Sequence, residues 1–282
     1  MKKNYPTSAQ RTNPSDEHDE TASPSNPRPP IVHQPTRRPI QNLNPRTYRD
    51  FDFGWMPLPK NIQNCPAGLE YLATIDQLLV RQELEFLEIV TGIETENRYT
   101  IKNATGQKIY YAQEESNICN RLCCYNNREF NMHIFDQFGY AVIRLYRPWL
   151  CCLQSLAVFS PPNNFIGAIE QKCPTCIPIF EVKDVTGITV LRIEGPCCTS
   201  SCFNDVDFKI VTGDGRQQIG VITKQWSGLA RELFTDADYF GIRFPMDLDV
   251  AMKVVMLGAC FLIDFMYFEN ERPTPVYPYA YT

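Results

Sequence analysis

Three carboxylates and a glycine near the C-terminal end of the 282-residue chain have the spacing of a cation-binding loop. With Asp236 as position 1, Asp238 falls at 3, Phe240 at 5, Gly241 at 6, Ile242 at 7 and Asp247 at 12. That pattern suits calcium (Ca2+), a hard ion that takes oxygen ligands around a loop turned sharply at a central glycine. Phe240 and Ile242 can offer only main-chain carbonyls. Asp at position 12 is shorter than the usual glutamate, position 5 has no acid and Pro245 stiffens the exit, so the spacing predicts weak binding. The same region has a second reading, in which Asp247 or Asp249 caps the apolar helix that follows, where a carboxylate meets unpaired N–H groups.

The cysteines are the next reactive groups. There are twelve, many adjacent or nearly so: Cys123-Cys124, Cys151-Cys152, Cys173-Pro-Thr-Cys176 and Cys197-Cys198 with Cys202. The start Met-Lys-Lys-Asn-Tyr-Pro has no apolar run behind it to act as a secretory signal. A reducing compartment is therefore expected, with thiols serving as metal ligands, acylation sites or nothing at all rather than as disulfides. The stretch Cys173 to Cys202 has spacing compatible with four-sulfur zinc, which would leave Cys119, Cys123 and Cys124 unexplained. Cys151-Cys152 follow Arg147-Pro-Trp-Leu150, a basic, aromatic and aliphatic setting that suits S-acylation at a membrane interface; a pair of inert thiols is the other reading. Lys2 stands where myristoylation requires glycine, and the chain shows no C-a-a-X ending.

Other chemistries find little support. Of three histidines, His18 and His33 lie in a polar N-terminal stretch, and His133 sits mid-strand without a nucleophile near it in sequence. Phosphate-cradling glycine loops, zincin helices and dinucleotide fingerprints do not appear. A net charge of −5 excludes the strongly basic footprint of a dedicated nucleic-acid binder. No nucleic-acid partner and no covalent catalysis are expected.

These candidates depend on the elements that would carry them. Val250 to Phe268 is rich in Ala, Met and Leu, holds no proline, and has no polar side chain from Val254 to Ile263, which predicts a helix apolar on every face. Such a helix belongs inside a core or inside a bilayer. A span needs about 20 apolar residues, and Lys253 and Asp264 flank a shorter run here, but both readings stay open. Upstream, apolar strands alternate with turns of one type: Asn103-Ala-Thr-Gly106, Asp136-Gln-Phe-Gly139, Asp184-Val-Thr-Gly187 and Thr212-Gly-Asp-Gly215. With strands also expected over 85–90 and 166–171, the pattern predicts a mostly β fold: a closed antiparallel barrel of about 12 strands, plugged by the only segment long and apolar enough to fill it. The domain reading is a disordered Pro-rich tail over 1–47, a barrel domain over 48–272 with its central helix at about 248–268, and a short tail over 273–282. Nine prolines and scarce large apolar side chains prevent the first segment from burying a core. Pro24-Ser-Asn-Pro27 and Pro27-Arg-Pro-Pro30 suit SH3 or WW modules, or are simply spacer.

Asp236 to Asp247, the run Leu248 to Phe268, Leu79-Val-Arg-Gln-Glu-Leu-Glu-Phe-Leu87 and Cys202-Phe-Asn-Asp-Val-Asp-Phe208 together resemble the phospholipid scramblase family, over about Trp55 to Glu269. The resemblance implies a tubby-like barrel around the C-terminal helix and a calcium-dependent, ATP-independent, bidirectional movement of phospholipids between leaflets. It implies Asp236, Asp238, Phe240, Ile242 and Asp247 as the calcium ligands. It also implies palmitoylation at Cys151 and Cys152, a sparser site than the dense cysteine run common in the family. A phospholipid membrane is the implied partner, at the cytoplasmic face of the plasma membrane, reached by lipid anchoring or by a single pass through 250–268. In some members of that family the stretch equivalent to Gly220 to Gly228 serves nuclear import; here it holds one basic residue, Lys224, and no import role is expected. The rival expectation is a palmitoylated, membrane-tethered adaptor or lipid-binding platform without transport activity.

Overall fold

A computed structural model describes residues 54–60, 62, 65–83, 96–116, 127–173, 177–197, 199, 205–225 and 239–269. The N-terminal tail, the segment 273–282 and the strand expected over 85–90 lie outside these residues.

Twelve strands form a closed barrel: β1 (Gln77–Glu83), β2 (Arg98–Asn103), β3 (Lys108–Glu115), β4 (Phe130–Phe135), β5 (Ala141–Arg147), β6 (Ser155–Phe159), β7 (Phe165–Gln171), β8 (Ile179–Asp184), β9 (Thr189–Glu194), β10 (Val206–Thr212), β11 (Gln218–Gln225) and β12 (Tyr239–Arg243). Each pairs antiparallel with its sequence neighbours, and β1 pairs with β12 to close the ring, so no edge is left open. The strands alternate as their sequences do: Met132, Ile134, Leu145, Leu156, Val158 and Ile169 face inward, with polar or small residues between them.

The four expected turns are present, and one device builds them all. A carboxylate, amide or hydroxyl at the first position accepts main-chain N–H groups of the turn. Asp136 Oδ1 accepts from Phe138 N and Tyr140 N, both at 2.9 Å. Asn103 and Asp184 act alike, and Thr212 Oγ1 accepts from Gln217 N. The fourth position needs positive φ, which glycine supplies: Gly106, Gly139, Gly187 and Gly215 have φ of 85, 80, 81 and 74°. A register shift beside each turn absorbs the extra residue and adds local twist.

The helix α1 (Val250–Tyr267) lies inside this barrel, with Met252 through Phe265 buried. It is long and apolar enough to cross a bilayer by composition alone, but here the inner faces of the strands supply its apolar surroundings. Asp249 is its cap, accepting from Ala251 N at 2.9 Å. Both flanking charges are accommodated in the interior. Lys253 Nζ donates to the carbonyls of Leu72 (3.0 Å), Ile75 (2.9 Å) and Met246 (2.7 Å), which uses all three ammonium protons. Burial brings its pKa down to about 8, against the opposing pull of Asp76, Asp247 and Asp249. Leu72 lies in a short 3-10 helix (Glu70–Thr74) and Ile75 caps its end, so the lysine ties the segment before β1 to the start of the plug. At the other end, Asp264 accepts from Tyr99 Oη at 2.9 Å.

Small residues set how closely helix and wall approach. A Cβ built on Gly167 of β7 would lie 2.5 Å from the Lys183 carbonyl oxygen and 2.8 Å from Val255 Cγ2 of the helix. Neither neighbour can yield without moving backbone or plug. Gly167→Ala is therefore expected to destabilise the fold by about 2 kcal/mol, read as a lower urea midpoint at unchanged slope; an unchanged midpoint would refute this account of the packing.

Candidate functional site

The acidic segment divides between strand and turn. Asp236 and Asp238 lie outside the described residues. Phe240 and Ile242 belong to β12, where their side chains fill the barrel between β1 and β11. A strand paired on both sides uses its carbonyls in the two ladders. Asp247 is exposed in the connection to α1, and Asp249, not Asp247, caps the helix. The four steps from Tyr239 to Arg243 extend about 13 Å. Phe240 and Ile242 thus stand in extended backbone with Asp247 beyond the strand, because inward alternation of Phe240 and Ile242 completes the barrel wall, a demand that twelve residues of loop spacing do not reveal. Among the described residues, no group of three or more His, Cys, Asp or Glu could hold a metal ion.

Cys151 and Cys152 occupy a better defined place. Arg147, fully buried at the end of β5, donates through Nε and Nη2 to Gln154 Oε1 at 3.2 and 2.7 Å. Gln154 Nε2 donates back to the carbonyls of Leu150 (3.0 Å) and Cys152 (2.9 Å). This buried pair holds residues 148–153 as a compact loop. Burial, with Arg128 nearby, lowers the Arg147 guanidinium to about 10. The loop presents both thiols to solvent, Sγ to Sγ 3.5 Å, between Trp149 and Leu153, which are 57% and 45% exposed. The hydrogen bond to Cys151 pushes the Cys152 thiol up. Cys173 and Cys197 are also exposed free thiols. Cys119, Cys123, Cys124, Cys176, Cys198 and Cys202 lie outside the described residues. His133 bonds to Glu115 Oε2 at 3.1 Å on the outside of the barrel.

A charged cluster sits where the plug ends. Arg128, buried, donates to Glu114 (Nε to Oε1 2.8 Å, Nη2 to Oε2 3.1 Å) and to Glu269 just past α1 (Nη1 to Oε2 2.7 Å, Nη2 to Oε1 2.5 Å). Asn97 Nδ2 bonds both carboxylates, and Gln82 Nε2 bonds Asn97 Oδ1. The guanidinium lies 4.6 Å from the Phe265 ring centroid. Burial alone would lower the Arg128 pKa, but its bonds to Glu114 and Glu269 raise it overall. Burial acts to raise Glu114, and Arg128 outweighs it and holds the carboxyl below its ordinary range.

A family model described as Scramblase matches residues 56–270, an extent that takes in all twelve strands, the plug and the cluster at its end. The chain belongs to the scramblase family. It is 50% identical over 225 residues to phospholipid scramblase 2 of Bos taurus, covering 77% of each chain. Its identity to phospholipid scramblase 1 of Mus musculus is 47% over 245 residues, 84% of this chain and 75% of that protein. With human phospholipid scramblase family member 5 it shares 43% over 226 residues, 77% of this chain and 83% of the relative. No solved structure matches the chain.

In this scramblase-family barrel the Arg128 cluster is the feature that the sequence reading missed. Its members come from β1, the residue before β2, β3, the approach to β4 and the second residue after α1. Nothing in local spacing links them. The one available signal was a charged residue, Glu269, at the end of an otherwise apolar run.

Proposed function

We propose that this chain promotes calcium-dependent, ATP-independent, bidirectional movement of phospholipids between leaflets at the cytoplasmic face of the plasma membrane. The observation that carries the proposal is family membership across the entire barrel, together with relatives named as phospholipid scramblases. The exposed Trp149–Leu153 loop supports lipid anchoring through palmitate on Cys151 and Cys152, since one acyl chain anchors only marginally and two hold. The Pro-rich tail is proposed to recruit SH3 or WW modules. Asp236, Asp238, Phe240, Ile242 and Asp247 are the proposed calcium ligands. With the Phe240 and Ile242 carbonyls serving the ladder, the carboxylates would supply most of the affinity, or β12 would have to open.

One observation favours a second reading, a palmitoylated adaptor without transport activity: an apolar, buried helix occupies the barrel interior. Reconstitution into liposomes carrying a fluorescent phospholipid in both leaflets, with a membrane-impermeant reductant outside, separates the two. Calcium in the ~0.1–1 mM range of weak sites should accelerate loss of the inner-leaflet signal in the parent protein. Asp236→Ala with Asp238→Ala should abolish that acceleration without lowering thermal stability. A double variant that responds to calcium like the parent would sink the ligand assignment, and a parent that never exposes the inner leaflet would leave the adaptor.

A further inference from the structure

The strands run up and down in sequence order, so their connections alternate between the two rims of the barrel. The tight turns at 103–107, 136–140, 184–188 and 212–217 and the connection at 160–164 share the rim where α1 enters; the cysteine loop at 148–153 is on the opposite rim. On the turn rim, Phe138, Tyr140, Phe165, Val185 and Ile188 are between 40% and 70% exposed. They occupy three adjacent hairpins, β4–β5, β6–β7 and β8–β9. Among the described residues, Trp55, Leu58 and Met246 are the other large apolar side chains of similar exposure outside these three hairpins and the cysteine loop.

The turn architecture does not require these residues. It needs a short polar side chain at the first position and glycine at the fourth, and the equivalent turns at 103–107 and 212–217 hold Ala104 and Thr105, or Asp214 and Arg216, at their free positions. Five large apolar side chains left this exposed forgo much of the gain of burial, a pattern that marks a binding surface. Their arrangement favours a fluid partner over a solid one. Hairpins spaced two strands apart, about 10 Å, present separate wedges and no shared groove. A bilayer interface accepts such wedges one by one, and favours aromatic residues with a polar end, as Tyr140 has. The acids of these turns are folded back: Asp136 and Asp184 spend an oxygen on turn N–H groups.

We infer that this arc of hairpin tips is a second membrane contact, distinct from the cysteine loop. The inference rests on the proposed action on phospholipid bilayers. Strand β5 joins Tyr140 at one rim to Trp149 at the other, so one bilayer can touch both only if the barrel lies on its side. The flank laid against lipid is then β5–β7, whose outward residues include Tyr146, Ala157, Phe159 and Ala168. Arg144, which stacks 4.2 Å over the Phe159 ring, supplies that flank with a cation for lipid phosphate.

The test uses full-length, unacylated protein and vesicles of phosphatidylcholine with phosphatidylserine. Phe138→Ser with Tyr140→Ser, and Val185→Ser with Ile188→Ser, should each weaken vesicle binding about tenfold while thermal midpoints stay put, because the side chains are exposed. Brominated phosphatidylcholine should quench both Trp149, read as the difference from Trp149→Phe, and a tryptophan placed by Tyr140→Trp. Unchanged vesicle affinity in both pairs of variants, or a parent that does not bind vesicles, overturns the contact; quenching at one rim alone overturns the side-lying orientation. Tip variants that lose vesicle binding, beside a parent that moves no lipid, would sustain this surface and sink only the transport reading.

Discussion

A chain ending at Pro245 should show no cooperative thermal unfolding transition. The barrel wall points Leu78, Ile101, Ile134, Leu145, Leu156, Ile169, Phe180 and Ile222 at the helix volume, all essentially unexposed. Removing α1 withdraws nine large apolar side chains that are buried there, on the order of 20 kcal/mol of apolar burial. Net stability of a domain is only about 5–15 kcal/mol. The strands cannot close over the gap, since their antiparallel pairings already fix the circumference. Expressing residues 48–245 and recording circular dichroism against temperature decides the point. A sharp two-state melt would mean that the wall is stable without its plug, and that the helix is free to act elsewhere.

Arg128→Ala should cost about 3–5 kcal/mol near neutral pH. The substitution leaves Glu114, wholly buried, and Glu269, mostly buried, facing each other without their cation, and breaking one partner of a buried ion pair costs about that much. The pH dependence gives a sharper signature. In the parent, Glu114 is held below its ordinary range, so its contribution is fully present above the unfolded value near ~4.3 and is lost as pH falls through the folded pKa. In the variant, burial without Arg128 raises the Glu114 pKa, and protonation on acidification relieves the stranded charge. The two stabilities must therefore converge as pH drops from 7 towards ~4. Urea unfolding across that range measures the gap; a gap independent of pH would show that Arg128 acts through packing on Phe265 instead.

The sequence by itself determined the repeating parts of this protein, because each rests on interactions a few residues long. Alternation in Phe130–Phe135 and the Asx or Thr to Gly turns require only neighbours on the chain, so strands and turns follow from local chemistry. Total apolarity of Val250–Phe268 likewise demanded burial, and strand number with plug size pointed to a closed barrel. Only the tertiary structure decided where that helix goes, since core and bilayer look alike to a run of Met, Leu and Phe, and what makes Lys253 tolerable is three carbonyls, two of them more than 170 residues away in sequence. It also decided that Phe240 and Ile242 form barrel wall, because loop spacing counts residues whereas closure between β1 and β11 demands extended backbone. The Arg128 cluster and the rim of Phe138, Tyr140, Val185 and Ile188 could be seen in no segment alone: partners in one case, and exposure in the other, exist only once the ring is closed.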